Sequence, residues 1–401
     1  MPYRAQLVAR ALVGSPLRSP VYGCLFCVGM LLLIGLAFLG HLTLWILEPL
    51  QASATFLLAA MLGAVASLPV MGLLWYLDRR ERESLWLFIG AALWGAAIST
   101  GVSALLNALG FGFIALGLEV AGDMDTETVG QVLTAALVAP PVEEMAKGIA
   151  LLVLFWFLRA EFDNVRDGII YGALVGLGFN VAEYALYVMQ GYLESGRAPF
   201  GEQFAGRFVF LGFNGHMLWS ALCGAGVGLA RQTRSGCLRI GAPVGGYTVA
   251  TLAHALNNSL GIFALAFLLT LFGYDIEAGL ETIPVGGLWA AAALMNVLVQ
   301  GFPYILLFTM LWLSSRWERD VIRTYLADEV GISVTPEEYA RIARDRLFGD
   351  TRWFRGREAR IANAQNELAF RKWHVAREGG DPNTDPLVAA WREDIAALRE
   401  E

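Results

Sequence analysis

Apolar residues fall along this chain in long unbroken runs, with neither the 3.6-residue stripe of a surface helix nor the alternation of a half-buried strand. Eight stretches, roughly 21–47, 52–77, 84–118, 129–158, 167–192, 204–230, 240–272 and 284–315, reach the length of about 20 residues that crosses a bilayer as helix. The polar connections between them are short and alternate in sign. One set carries Arg4, Arg10 and Arg18, then Arg79, Arg80 and Arg82, then Arg159 and Arg166, then Arg231, Arg234 and Arg239. The other set (EPLQAS, EVAGDMDTET, LESGRAPFGEQ and GYDIEAGLETI) is acidic apart from Arg197. Basic short loops stay on the cytoplasmic side, so both termini are expected inside, which requires an even number of spans. The expectation is an all-α polytopic membrane protein of eight transmembrane helices with a cytosolic helical C-terminal extension.

Composition agrees with the pattern. Of 401 residues, 56% are hydrophobic and only 16% charged, too few charges to cover a soluble surface. The net charge of -7 offers no basic face to phosphates, which excludes a nucleic-acid binder. The charges concentrate in 316–401, so the expected division is a membrane domain at 1–315, with its chemistry in roughly 129–272, and a tail at 316–401. Within the tail, Thr335-Pro-Glu-Glu338 reads as a capping box, with helices over 356–378 and 387–400. Cys24 and Cys27 form a CxxC without further ligands nearby and read as packing, as does Cys223; neither a disulfide framework nor a cleavable leader is expected. Abundant glycine inside the spans, as in Gly172–Gly176 and Gly224–Gly228, reads as close helix packing.

Ionisable groups inside a span cost several kcal/mol unless paired, so each is a functional candidate. Four consecutive spans hold nearly all of them: Glu143, Glu144 and Lys147; Glu183; His216; and His254 with Asn258. His41 stands elsewhere and reads as interfacial. Glu144, Glu183, His216 and His254 lie 15 to 17 positions from the nearest inner arginine, roughly 22–26 Å at the helical rise, so one site at common depth is expected. Glu143 and Lys147 are four apart, the spacing of an intrahelical ion pair, which would leave Glu144 unpartnered as a general base. Phe179 shares a face with Glu183, and Asn258 with His254. Pro140 and Pro141 break the helix one turn before the glutamates and free carbonyls there. Asn180, Asn214 and Asn257 read as interhelical glue.

Assembled in this order, Glu143-Glu144-Met-Ala-Lys147, Phe179-Asn-Val-Ala-Glu183, His216 and His254 resemble the PrsW family of intramembrane proteases, relatives of the CAAX prenyl proteases. A CAAX protease would carry EExxxR and FxxxH. Lys147 and Glu183 depart from that, although His254-xxx-Asn258 matches its last motif. The resemblance implies hydrolysis of a peptide bond within or beside the transmembrane segment of a protein substrate entering laterally from the bilayer, an anti-sigma factor being one candidate, in the cell (inner) membrane. It gives Glu144 the water, Glu183 or a histidine the proton transfer, and His254 with Asn258 the oxyanion. Two chemistries stay open: a metal-free glutamate site, favoured by the lack of HExxH, or zinc on Glu144, Glu183, His216 and His254. A CAAX-type protease is the neighbouring alternative. A proton- or cation-coupled transporter is the rival of another class, disfavoured by the absence of repeat symmetry.

Overall fold

The computed structural model describes residues 15–45, 49–81, 83–122, 125–159, 161–344 and 356–401. Arg4, Arg10 and Arg82, used above for orientation, lie outside the described residues. Regular structure among the described residues is helical, apart from one isolated bridge between Val330 and Val334. In chain order the helices are α1 (Pro20–Trp45), α2 (Pro49–Leu77), α3 (Leu85–Ala121), α4 (Thr126–Leu133), α5 (Ala139–Phe157), α6 (Val165–Ser195), α7 (Phe200–Arg207), α8 (His216–Gln232), α9 (Gly236–Leu271) and α10 (Val285–Leu326).

Six of these, α1, α2, α3, α6, α9 and α10, contain stretches long and apolar enough to cross a membrane. A seventh appears if α7 and the helical stretch Val209–Gln232, bent by 66° at their junction, count as one crossing. The chain is therefore a multi-pass membrane protein, and length and apolarity mark fewer spans than the eight expected. The stretch at 129–158 accounts for the difference. It folds as α4, a π turn at Thr134–Val138, and α5, whose 19 residues include Glu143, Glu144 and Lys147.

Two compact units emerge, Met1–Leu74 with Leu85–Phe308, and Trp75–Ser84 with Thr309–Glu401. In the first, α6 is the interior helix. Its membrane-length stretch is 89% buried, against at most 39% in the other five. Glycines permit this. A Cβ on Gly172 would stand 2.1 Å from the Ser220 carbonyl oxygen, and one on Gly176 2.2 Å from that of His216, so α6 and α8 touch backbone to backbone. The prolines of α5 sit in its first turn, where a missing N–H costs little. The carbonyls nearby are taken up by α9: Tyr247 Oη donates to Pro141 O at 3.0 Å and Asn258 Nδ2 to Ala135 O at 3.0 Å. His41 is half-buried, its Nε2 2.8 Å from the Ala97 carbonyl, apart from the polar cluster. All four cysteines are free, Cys24 and Cys27 on the exposed side of α1.

The second unit closes a small core of Leu326, Leu368, Phe370, Val388 and Ile395. Around it lie α11 (Pro336–Arg344), α12 (Arg357–Arg377) and α13 (Pro386–Glu400). The capping box forms in both directions: Glu338 Oε2 accepts from Thr335 N at 2.8 Å, and Thr335 Oγ1 from Glu338 N at 3.2 Å. No helix boundary falls at residue 315, because α10 continues to Leu326.

Candidate functional site

Four helices deliver the polar side chains to one buried cluster. Helix α5 supplies Glu143, Glu144 and Lys147; α6 supplies Phe179 and Glu183; α8 supplies His216; and α9 supplies His254. His216 is the first residue of α8. It follows Gly215, whose φ of 57° and ψ of -129° suit only glycine, and its backbone is pinned against Gly176. Just upstream, Phe210 and Leu211 both hold left-handed conformations (φ 51° and 61°), strain that marks the break between α7 and α8 beside the cluster.

Lys147 pairs with Glu144 and not, as its i+4 spacing from Glu143 predicts, with Glu143. Its Nζ donates to Glu144 Oε1 at 2.5 Å and to His216 Nδ1 at 2.8 Å, and lies 4.4 Å over the Phe179 ring. The i+3 and i+4 neighbours of a lysine are both within its reach, and the side chains across the helix interface select between them. Glu144, fully buried, is then saturated. Oε1 also lies 3.2 Å from His254 Nδ1, and Oε2 accepts from Ser220 Oγ at 3.2 Å. Glu143 is the carboxylate left open. Its Oε1 accepts from Asn107 Nδ2 at 3.1 Å, while Oε2 is buried without a hydrogen-bond partner, 3.9 Å from both His216 Nδ1 and His254 Nε2. The expected assignment of the free carboxylate is thus reversed between the two neighbours.

Glu183 occupies the far side of His216, with Oε2 2.5 Å from His216 Nε2 and 2.5 Å from Arg207 Nη1. Phe179 packs on the imidazole of His216 at 4.7 Å. Asn258 lies in a π turn at Asn257–Gly261, and its Nδ2 donates to the Ala135 carbonyl at 3.0 Å. Asn180 Nδ2 donates to the Arg207 carbonyl at 3.0 Å, as an interhelical tie.

Several participants are absent from the sequence reading. Arg207 sits within the apolar stretch 204–230, and the rule that flags ionisable groups in spans applies to it equally. Asn107 and Gln300 are neutral amides in spans otherwise poor in polar groups. Trp219 stacks on His254 at 4.1 Å and 15°, and its Nε1 donates to Gln300 Oε1 at 3.0 Å. Gln300 Nε2 in turn donates to the Ala253 carbonyl at 3.0 Å, so α10 braces the residue preceding His254.

The arrangement suits a divalent metal in its donor chemistry. A carboxylate on the far nitrogen fixes the orientation of each imidazole, Glu183 for His216 and Glu144 for His254. The near nitrogens, with Glu143, offer three donor atoms within 4.8 Å of one another. The set differs from the expected quartet, since Glu144 and Glu183 hold the backs of the rings.

Comparison with known proteins bears on the same region. The family model described as PrsW family intramembrane metalloprotease matches residues 83–279, which include all the cluster residues on α5, α6, α8 and α9. No curated protein and no solved structure matches the chain. Over residues 83–279 this chain belongs to the PrsW family, and it is an intramembrane protease.

Proposed function

We propose that the chain hydrolyses a peptide bond within or beside the transmembrane segment of a membrane protein, with Glu143 as the residue that handles the attacking water. One observation carries this reading: Glu143 Oε2 is buried, unpaired, and equidistant at 3.9 Å from His216 and His254. A water there would give its proton to Glu143 as its oxygen attacks the scissile carbonyl, and Glu143 would return that proton to the departing amine nitrogen. The Lys147 ammonium, the cationic group nearest His216 Nδ1, would offset negative charge developing on the carbonyl oxygen. Glu144 and Glu183 would keep both imidazoles oriented throughout. Zinc, if bound by Glu143, His216 and His254, would supply Lewis acidity toward the water and the carbonyl.

A metal-free reading has its own observation. Lys147 Nζ already donates to His216 Nδ1, the nitrogen a metal would need, so a fixed ammonium stands where cationic charge is required. The wider setting belongs to the same proposal: α5 and the α7–α8 pair each cross the bilayer to make eight spans, both termini and the tail are cytosolic, and the membrane is the cell (inner) membrane. The substrate enters laterally, with a single-span anti-sigma factor as the favoured class.

The test is cleavage of a single-span reporter peptide by purified protein, with elemental analysis alongside. Wild type yields fragments and Glu143→Gln does not. Zinc that disappears together with activity in His216→Ala and His254→Ala selects the metal mechanism; activity without zinc selects the lysine one. Near-normal cleavage by Glu143→Gln would overturn the assignment.

A further inference from the structure

A cavity of about 300 Å³ opens within the second compact unit, between α11, α12, the end of α13, the part of α10 carrying Arg319 and the turn carrying Arg80. Its wall runs against the acidic character of the chain. Among the described residues five arginines line it, Arg341 and Arg357 the exposed ones, together with the carboxylates Glu338 and Glu358. Glu338 is already committed. Its Oε2 accepts from Arg399 Nη2 at 2.6 Å, from Gln365 Nε2 at 2.9 Å and from Thr335 N at 2.8 Å. Burial would raise this carboxyl, and those donors nonetheless hold it below the usual range. Arg80, 3% exposed, is fixed in the wall by Glu318 at 3.2 Å and Ser315 Oγ at 2.8 Å.

A second observation is independent of charge. Asn366 lines the same cavity, is 5% exposed, and its side-chain amide makes no hydrogen bond among the described residues. Buried amides are ordinarily satisfied, and one left open toward a cavity calls for a polar occupant. Ile322, Ile342 and Ile361 complete the wall with an apolar face.

We propose that this cavity binds a phosphate-bearing small molecule. Guanidinium groups match phosphate oxygens in planar, two-point contacts, the Asn366 amide offers donor and acceptor to a polar edge of the organic part, and the isoleucines cover its apolar side. The volume lies at the small end of the range for ligand sites, roughly 300–1,000 Å³. The phosphate could belong to a soluble organophosphate of nucleotide size or to the headgroup of an anionic phospholipid, since Arg80 ends an apolar stretch fit to cross the bilayer.

The full chain, purified in neutral detergent, is titrated with a fluorescent ADP analogue with inorganic phosphate as competitor. In parallel its thermal unfolding is measured in phosphatidylcholine nanodiscs with and without phosphatidylglycerol. Arg357→Gln is the mild variant, because Arg357 is exposed and makes only a 3.5 Å contact to the Arg399 carbonyl. Asn366→Leu is the sharper one. Saturable nucleotide binding, displaced by phosphate and weakened about tenfold by each variant, identifies the soluble source. A phosphatidylglycerol-dependent rise in unfolding temperature that both variants abolish identifies the lipid source. No response to either probe, or a response that neither Arg357→Gln nor Asn366→Leu changes, overturns the proposal.

Discussion

Glu143 and Glu144 are adjacent in sequence and opposite in duty, and substitution to glutamine separates the duties. Glu143→Gln retains an amide oxygen for Asn107 and leaves the Lys147–Glu144 pair in place, so the fold should be unaffected while cleavage falls about 10²–10⁴-fold. Glu144→Gln removes the anion beside Lys147 in a fully buried pair, so it should cost about 3–5 kcal/mol, read as a lowered unfolding temperature in detergent. A Glu144→Gln protein as stable as wild type would show that the pair does not hold the cluster. Gln300 acts at one remove. Gln300→Leu frees the Trp219 indole that stacks on His254, and kcat should drop about 10–100-fold with KM little changed. Equal loss in both constants would point to a general packing role. That Glu144, Glu183, His216 and His254 meet was legible in the sequence, because each lies 15 to 17 residues from an arginine and helical rise converts that shared count to a shared level. The partner of Lys147 was not legible. Two carboxylates lie within reach of one ammonium, and the choice is made by His216 on another helix.

At the scale of elements, six of the eight apolar stretches became helices long and apolar enough to cross a membrane, and those at 129–158 and 204–230 folded less simply. Helix α5 trades apolar residues for the glutamates and lysine, and α7 is bent by 66° against the helical stretch Val209–Gln232, in which Phe210 and Leu211 turn left-handed. The π turns at Thr134–Val138 and Asn257–Gly261 have no signature in the sequence, and the second carries Asn258, whose Nδ2 donates to the Ala135 carbonyl. Glycine periodicity was informative, since backbone contact between α6 and α8 requires it. A methyl group at Gly176 meets the His216 carbonyl oxygen at 2.2 Å and has to push α8 away. Displacing a reacting group by about 1 Å can cost about 10²-fold, so Gly176→Ala should lose activity on that order. Gly241→Ala on α9, where a Cβ meets nothing within 4 Å, is the matched control and should leave the cleavage rate unchanged.

For the molecule as a whole, the polar second unit responds to acid through the buried Glu329 and the half-buried Glu338 and Asp385. Burial would raise Glu329, but hydrogen bonds from Arg392 and Lys372 hold it below the ordinary carboxylate range. Glu338 and Asp385 are lowered in the same sense against the same burial, Asp385 by Arg371 and by the first amides of α13. Depressed folded-state values stabilise the unit above the unfolded values, about 4, and that stabilisation drains away as pH falls through the folded ones. Hydrogen exchange in α12 and α13, corrected for intrinsic rates, should therefore show protection constant from neutrality to about pH 5 and lost progressively below about pH 4. Unchanged protection at pH 3 would mean that these pairs do not support the unit. The capping box that opens α11 was readable from Thr335 and Glu338 alone, whereas the partners of Glu329 come from α12 and α13 and required the fold. The interior position of α6 bears on how the protein is made. A helix almost wholly enclosed by its neighbours, and the least apolar of the six candidate crossings, has little to offer lipid when it first leaves the ribosome. Its backbone groove of glycines fits α8, which is synthesised later, so α6 must wait, sheltered by earlier helices or by the insertion machinery, until its partner arrives. Assembly of the polar cluster is thereby tied to the order of synthesis, with His216 on α8 and His254 on α9 completing it last.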